Sequence, residues 1–171
     1  MGDTTGKTVL IVDDEPDVRL YLETILKNAG FDVMAASNGR HALDRMTEKK
    51  PDVISLDLVM PKMSGFKFFK YIQKNKERAG IPVVVVTAHG KDELGQKALE
   101  KIQSEPRSCK LFYLEKPVVP AEYVNTVRKA LSLPAQDVEE GGPESLRSRL
   151  IDKIRTADPK ALKAALKALK D

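Results

Sequence analysis

Residues Ile81 to Thr87 read Ile-Pro-Val-Val-Val-Val-Thr. Four consecutive valines suit a strand, because β-branched side chains pack well on a pleated surface. No polar residue alternates with them, so neither face of that strand is left for water. A strand buried on both faces belongs inside a sheet covered on both sides. Such sheets are parallel, with crossover helices on the two faces. The rest of the chain must then supply more strands, and amphipathic helices between them.

The pattern along the chain meets this demand. Strands are expected at Thr8–Val12, Phe31–Ala36, Val53 to Asp57, Ile81–Thr87 and Lys110–Leu114. Helices are expected at Pro16–Asn28, Gly39–Lys49, from Ser64-Gly65 onward, at Lys91–Gln103 and at Ala121–Leu131. Val18, Leu22, Ile25 and Leu26 form the inward stripe of the first helix, and Gly30 ends it. Asn38 caps the second, whose inward residues are Ala42, Leu43 and Met46. In the third, Phe66, Phe69 and Ile72 should meet the sheet, with Phe68 sharing that duty. Five strands alternating with five helices imply right-handed crossovers. The expected fold is α/β: a five-stranded parallel sheet, doubly wound.

Four of these strands end in polar groups: Asp13-Asp14, Asp57, Thr87 and Lys116. In open α/β sheets, ligands bind at the carboxyl ends of the strands, where the strand order reverses. Asp57 closes an apolar run and is either a turn-capping acid or an exposed functional one. Asp13-Asp14-Glu15 places three acids together. Asp14 could cap the helix opened by Pro16, but a cap accounts for one or two of them, not all three. Clustered carboxylates can hold a hard divalent cation such as Mg²⁺. A hydroxyl and an ammonium beside them can bind the oxygens of a phosphoryl group.

Together, Asp13-Asp14, the run Leu56-Asp57-Leu58-Val59-Met60-Pro61 with Gly65, Thr87-Ala88 and Lys116-Pro117 resemble the receiver domain of two-component response regulators. The resemblance covers Lys7 to Leu133, and its combination of motifs is highly specific. It implies a flavodoxin-like (βα)5 fold and a phosphoacceptor at Asp57. Asp14, Asp57 and the Val59 carbonyl would be Mg²⁺ ligands, with Asp13 acting through metal-bound water. Thr87 and Lys116 would contact the phosphoryl oxygens, Tyr113 would be the switch aromatic, and Lys116-Pro117 would be joined by a cis bond. The family's partners are a histidine kinase or phosphotransfer protein and a downstream protein target. It implies a signalling protein rather than an enzyme, one that phosphorylates itself from small donors and dephosphorylates itself. The chain departs from the pattern in two places. Thr87 and Lys116 are 29 positions apart, with extra length around Gln103 to Cys109, and Val59 offers no group to orient an attacking water.

Composition narrows the remaining classes. The chain has 171 residues, 42% of them hydrophobic and 32% charged, with a net charge of +4. One cysteine, Cys109, excludes an intramolecular disulfide and fits a reducing compartment. Two histidines and that cysteine cannot build a typical zinc site. No stretch is apolar enough to span a membrane, and no signal peptide opens the chain, so a cytoplasmic protein is expected. His41 is expected on the surface of the second helix.

Three segments follow: a receiver at 7–133, a linker at 134–144 carrying a charge of −4, and a tail at 145–171. The tail has eight basic residues against three acidic ones, a net of +5. It should form a short hairpin of two amphipathic helices, with Leu146, Leu150, Ile151 and Ile154 on one and Leu162, Leu166 and Leu169 on the other. Two such helices cannot bury a core alone, so they should dock on protein. A homodimer through the output face or the tail fits this, and neither a membrane nor nucleic acid is expected as a partner. Two alternatives stand beside the receiver reading. One is an aspartate-nucleophile phosphatase on a similar scaffold, which would carry Asp-x-Asp after the first strand. The other is a regulator whose tail binds nucleic acid.

Overall fold

The structure, a computed structural model, describes residues 3–60, 62–88 and 93–136. Strands and helices alternate: β1 Thr8–Val12, α1 Pro16–Asn28, β2 Asp32–Ala36, α2 Gly39–Glu48, β3 Val53–Leu56, α3 Gly65–Gln73, β4 Val83–Thr87, α4 Glu93–Ser104, β5 Leu111–Glu115 and α5 Pro120–Ala130. The five strands form one parallel sheet in the order β2-β1-β3-β4-β5. After β2 the chain crosses back over β1 to place β3, so the order reverses there. The flavodoxin-like fold expected from the sequence is the one observed. The tail helices, Pro61 and His89 lie outside the described residues.

Each face of the sheet carries its own core. Leu10, Val12, Ile54, Leu56, Val83 and Val85 pack against α2, α3 and α4. Val9, Ile11, Val53, Val84 and Val86 pack against α1 and α5. Every residue of β1, β3 and β4 is buried, as a doubly covered parallel sheet requires. Among the described residues, no helix is long and apolar enough to cross a membrane.

Local chemistry fixes the ends of the elements. Gly30 takes φ 87° after α1, and the Phe31 N–H bonds back to Leu26 O at 3.0 Å, closing the helix in a left-handed cap. Asn38 caps α2 by accepting from the His41 N–H at 3.0 Å. Ser64 caps α3 by accepting from the Lys67 N–H at 3.4 Å. One alternative falls away, and one expectation needs correction. Asp14 does not cap α1: Glu15 holds that position without a side-chain bond, because Pro16 starts the helix one residue later than an Asp14 cap needs. In α3, Phe68 and Phe69 are fully buried, whereas Phe66 is half-buried under Lys70 and Lys101. Three phenylalanines within four positions span more arc than the sheet can cover, and Phe66 falls at its margin.

A buried polar tie crosses the α1/α5 layer. Tyr123 of α5 is fully buried, and its hydroxyl donates to Ser55 Oγ at 2.8 Å, two residues before Asp57. In so apolar a layer each hydroxyl depends on the other. Beyond α5 the chain turns back. Arg128 Nε donates to Pro134 O at 2.6 Å, and Asn125 exchanges two bonds with Gln136. Tyr123→Phe should leave the Ser55 hydroxyl unpaired and cost about 1–2 kcal/mol. The double change with Ser55→Ala should cost less than the sum of the two single changes. Urea unfolding of the four proteins tests this, and strict additivity would show the two hydroxyls to be uncoupled.

Candidate functional site

The carboxyl ends of β1, β3, β4 and β5 meet at one rim. The Asp57 N–H bonds to Val12 O at 2.9 Å, which sets the acid directly beside the end of β1. Asp13 leaves β1 with its N–H on Ala36 O at 3.1 Å, at the far edge of the strand. On the β5 side, the Lys116 N–H bonds to Thr87 O at 3.1 Å. The Lys116–Pro117 bond is cis, as expected.

The loop after β3 folds tightly over this rim. Lys62 takes φ 65°, and the Gly65 N–H returns to Leu58 O at 3.1 Å. A Cβ at Gly65 would lie 2.0 Å from the Asp57 carbonyl oxygen, so glycine is required there by close approach. The Val59 N–H reaches back to Asp57 Oδ1 at 3.2 Å and orients the carboxylate.

Asp13, Asp14 and Asp57 each bring a carboxylate oxygen within 4.8 Å of the others. Lys116 Nζ lies between them, 2.6 Å from Asp13 Oδ2 and 3.1 Å from Asp57 Oδ2, with Glu15 Oε1 at 3.5 Å. Asp13 Oδ1 is taken by the Glu15 N–H at 2.9 Å, and Arg19 Nη1 donates to Asp13 O at 2.7 Å. Asp13 and Asp57 are buried, while Asp14 is half-buried. Thr87 is buried at the end of β4. Tyr113 stands away from the acids on β5 and is 38% exposed. It pairs with Val85, so it projects from the same sheet face as Val85 and Thr87. His41 is exposed and Cys109 buried. Arg19 was not foreseen as part of the site; its signal was a lone guanidinium one turn after the acid run.

The electrostatics follow from this crowding. Burial raises the Asp57 carboxyl above its ordinary 3.8. Lys116 pulls it down, and neighbouring Asp13 pushes it up. Burial alone would lower Lys116, but Asp13 and Asp57 outweigh it and hold the ammonium above its ordinary 10.5. Asp13 Oδ2 is buried and accepts no hydrogen bond of normal angle; the ammonium is its ion-pair partner. A buried, incompletely satisfied oxygen in a nest of carboxylates is a donor set suited to a hard cation.

Folded Asp57 holds its proton more tightly than the unfolded chain does. Raising the pH from 3.8 through its folded value therefore costs stability. In EDTA at pH 7, Asp57→Asn should melt about 4 °C higher, a change of order 1 kcal/mol for a domain of this size. The gain should shrink as the pH falls toward 4. A lower melting temperature in the variant at pH 7 would contradict the strain at Asp57.

The chain matches the family model of the response regulator receiver domain over residues 9–128. It is 34% identical over 125 residues to chemotaxis protein CheY of Thermotoga maritima, covering 72% of this chain and 97% of that protein. It is 32% identical over 128 residues to sporulation initiation phosphotransferase F of Bacillus subtilis, covering 75% and 96%. With the phosphate regulon transcriptional regulatory protein PhoB of Pseudomonas aeruginosa it shares 31% identity over 126 residues. That is 74% of this chain and 52% of PhoB, so the chain spans about half the length of that relative. Among solved structures, chemotaxis protein CheY4 of Vibrio cholerae superposes with a TM-score of 0.62 at 29% identity, over 73% of this chain and 98% of that one. A receiver domain protein from Clostridium thermocellum gives 0.60 at 26% identity, over 74% and 94%. The chain belongs to the response regulator receiver domain family of two-component signalling.

Proposed function

We propose that the protein is a Mg²⁺-dependent phosphoacceptor that takes a phosphoryl group on Asp57 and uses it to switch a protein-binding surface. The observation that carries this reading is the convergence at one rim of the Asp13, Asp14 and Asp57 carboxylates, within 4.8 Å of one another, with Lys116 paired to Asp13 and Asp57. The cation would be held by Asp14, Asp57 and the Val59 carbonyl, with Asp13 acting through metal-bound water. When bound, it neutralises charge on the carboxylates and the incoming phosphoryl oxygens.

The chemistry is nucleophilic catalysis by a carboxylate. An Asp57 oxygen forms a bond to phosphorus as the bond to the leaving group breaks, and that electron pair departs with the leaving group. Val59 N–H holds the other carboxylate oxygen, which fixes the attacking one. Lys116 begins as the partner of Asp57 and can turn to a phosphoryl oxygen without leaving the site. Thr87 offers its hydroxyl from the end of β4. As Thr87 moves toward the phosphoryl group, it frees room for Tyr113, which turns inward along the same face of the sheet. The surface of α4, β5 and α5 then changes, a population shift driven by a covalent ligand. The donor would be a histidine kinase or phosphotransfer protein, and the target a downstream protein. A homodimer through this surface or the tail belongs to the same proposal, as does a receiver bounded at 7–133.

The test is direct. With Mg²⁺ and a small acyl phosphate, the intact protein should gain the mass of one phosphoryl group and Asp57→Asn should gain none. Equal labelling would remove Asp57 from the role.

The lifetime of the phosphoryl group carries a second expectation. Val59 gives an attacking water nothing to bond. Val59→Asn should speed phosphate loss severalfold, followed by the decay of the labelled mass after donor removal. Unchanged or slower loss would place control of water elsewhere.

A further inference from the structure

Asp14 is the odd member of the acidic cluster. Asp13 is held by the Glu15 N–H and Lys116, and Asp57 by the Val59 N–H and Lys116. Among the described residues, the Asp14 side chain makes no hydrogen bond or ion pair of its own. Its carboxylate nevertheless lies within 4.8 Å of the other two. With no side-chain partner to aim it, Asp14 is aimed by its backbone.

That backbone has a specific restraint. Arg19, in the first turns of α1, donates from Nη1 to the Asp13 carbonyl at 2.7 Å, and its own N–H is bonded to Glu15 O at 2.9 Å. The Asp13 carbonyl belongs to the peptide that leads into Asp14. On the other side, the Asp13 N–H is fixed to Ala36 O at 3.1 Å. The half-buried Arg19 makes no ion pair among the described residues, although three acids lie within a few positions of it. A guanidinium that takes a carbonyl beside so many carboxylates is placed for geometry rather than for charge neutralisation.

We propose that Arg19 is a positioning residue for the divalent cation: by holding the Asp13 carbonyl, it sets the peptide plane that turns Asp14 toward Asp13 and Asp57. This rests on the Mg²⁺ reading of the site. Position and charge have opposite signs here. If Arg19 acts by position, removing it weakens cation binding. If it acts only as a nearby positive charge, removing it relieves repulsion and tightens binding.

Calorimetric titration of MgCl₂ into the full-length protein separates the two. Arg19→Met should bind Mg²⁺ about tenfold more weakly, the scale typical of groups that orient metal ligands. Arg19→Lys, which can still donate to the carbonyl through a single donor, should recover part of the loss and serves as the informative variant if Arg19→Met does not fold. In an Asp14→Asn background, Arg19→Met should cause no further weakening. The inference is overturned if Arg19→Met binds as tightly as wild type or more tightly, or if its effect is undiminished in the Asp14→Asn background. A wild type that shows no Mg²⁺ binding would overturn the metal reading itself, and this inference with it. Melting in EDTA should be the same for wild type and Arg19→Lys, a readout that a purely structural role would move.

Discussion

A buried ammonium holds the functional end of this molecule together. Lys116 Nζ lies 2.6 Å from Asp13 and 3.1 Å from Asp57, so three buried charges depend on one another. Two carboxylates against one ammonium leave the site short of positive charge even when all of them are paired. Burial raises Asp57, and the acids raise Lys116. The imbalance suits a further cation, and in the proposed reading a phosphoryl group would be received once that cation and the lysine share the charge. Much of the surrounding backbone serves this arrangement: the Asp57 N–H on Val12, the Lys116 N–H on Thr87, and the closed turn at Gly65.

The sheet explains why such chemistry collects at the rim. β1, β3 and β4 are buried along their whole length, so no charged group has a place within them. Asp13 and Asp57 each follow the last residue of an apolar strand, at the first point where a charge can reach both backbone donors and solvent. Among the described residues, one polar pair inside the layers is Tyr123 with Ser55, tolerable because the two hydroxyls satisfy each other. Through that bond α5, part of the proposed output surface, is tied to the strand that carries Asp57.

Much of this could be read from the residues. The valines of β4 dictated a doubly covered parallel sheet, and the polar strand ends dictated where a site must lie. The acids, Thr87 and Lys116 fell where the motifs placed them, because strand ends are set by local sequence and the topology admits few arrangements. What escaped depended on angles and distances that a linear pattern does not carry. The choice between Phe66 and Phe68 turned on how wide an arc the sheet covers. The cap that Asp14 could have supplied falls to Glu15, directly before Pro16. Tyr123 and Ser55 are 68 positions apart, and nothing in either neighbourhood announces the other. The bond from Arg19 to the Asp13 carbonyl has no signature in the order of the residues.

The parallel topology also determines when the site comes into being. Lys116 is 59 positions from Asp57, and the strands that carry them are separated in the sheet by β4. Parallel neighbours need long crossovers, and closing those loops costs entropy before their contacts form. The acidic cluster therefore appears only when β1 and β3 have paired, and its balancing lysine only when β5 has joined the far side. A chain folded up to β3 would carry the repulsion without the relief. The fold is thus disciplined toward completion: no partly assembled sheet brings the acids and their lysine together, so on the proposed reading a signal would be written only on a finished molecule.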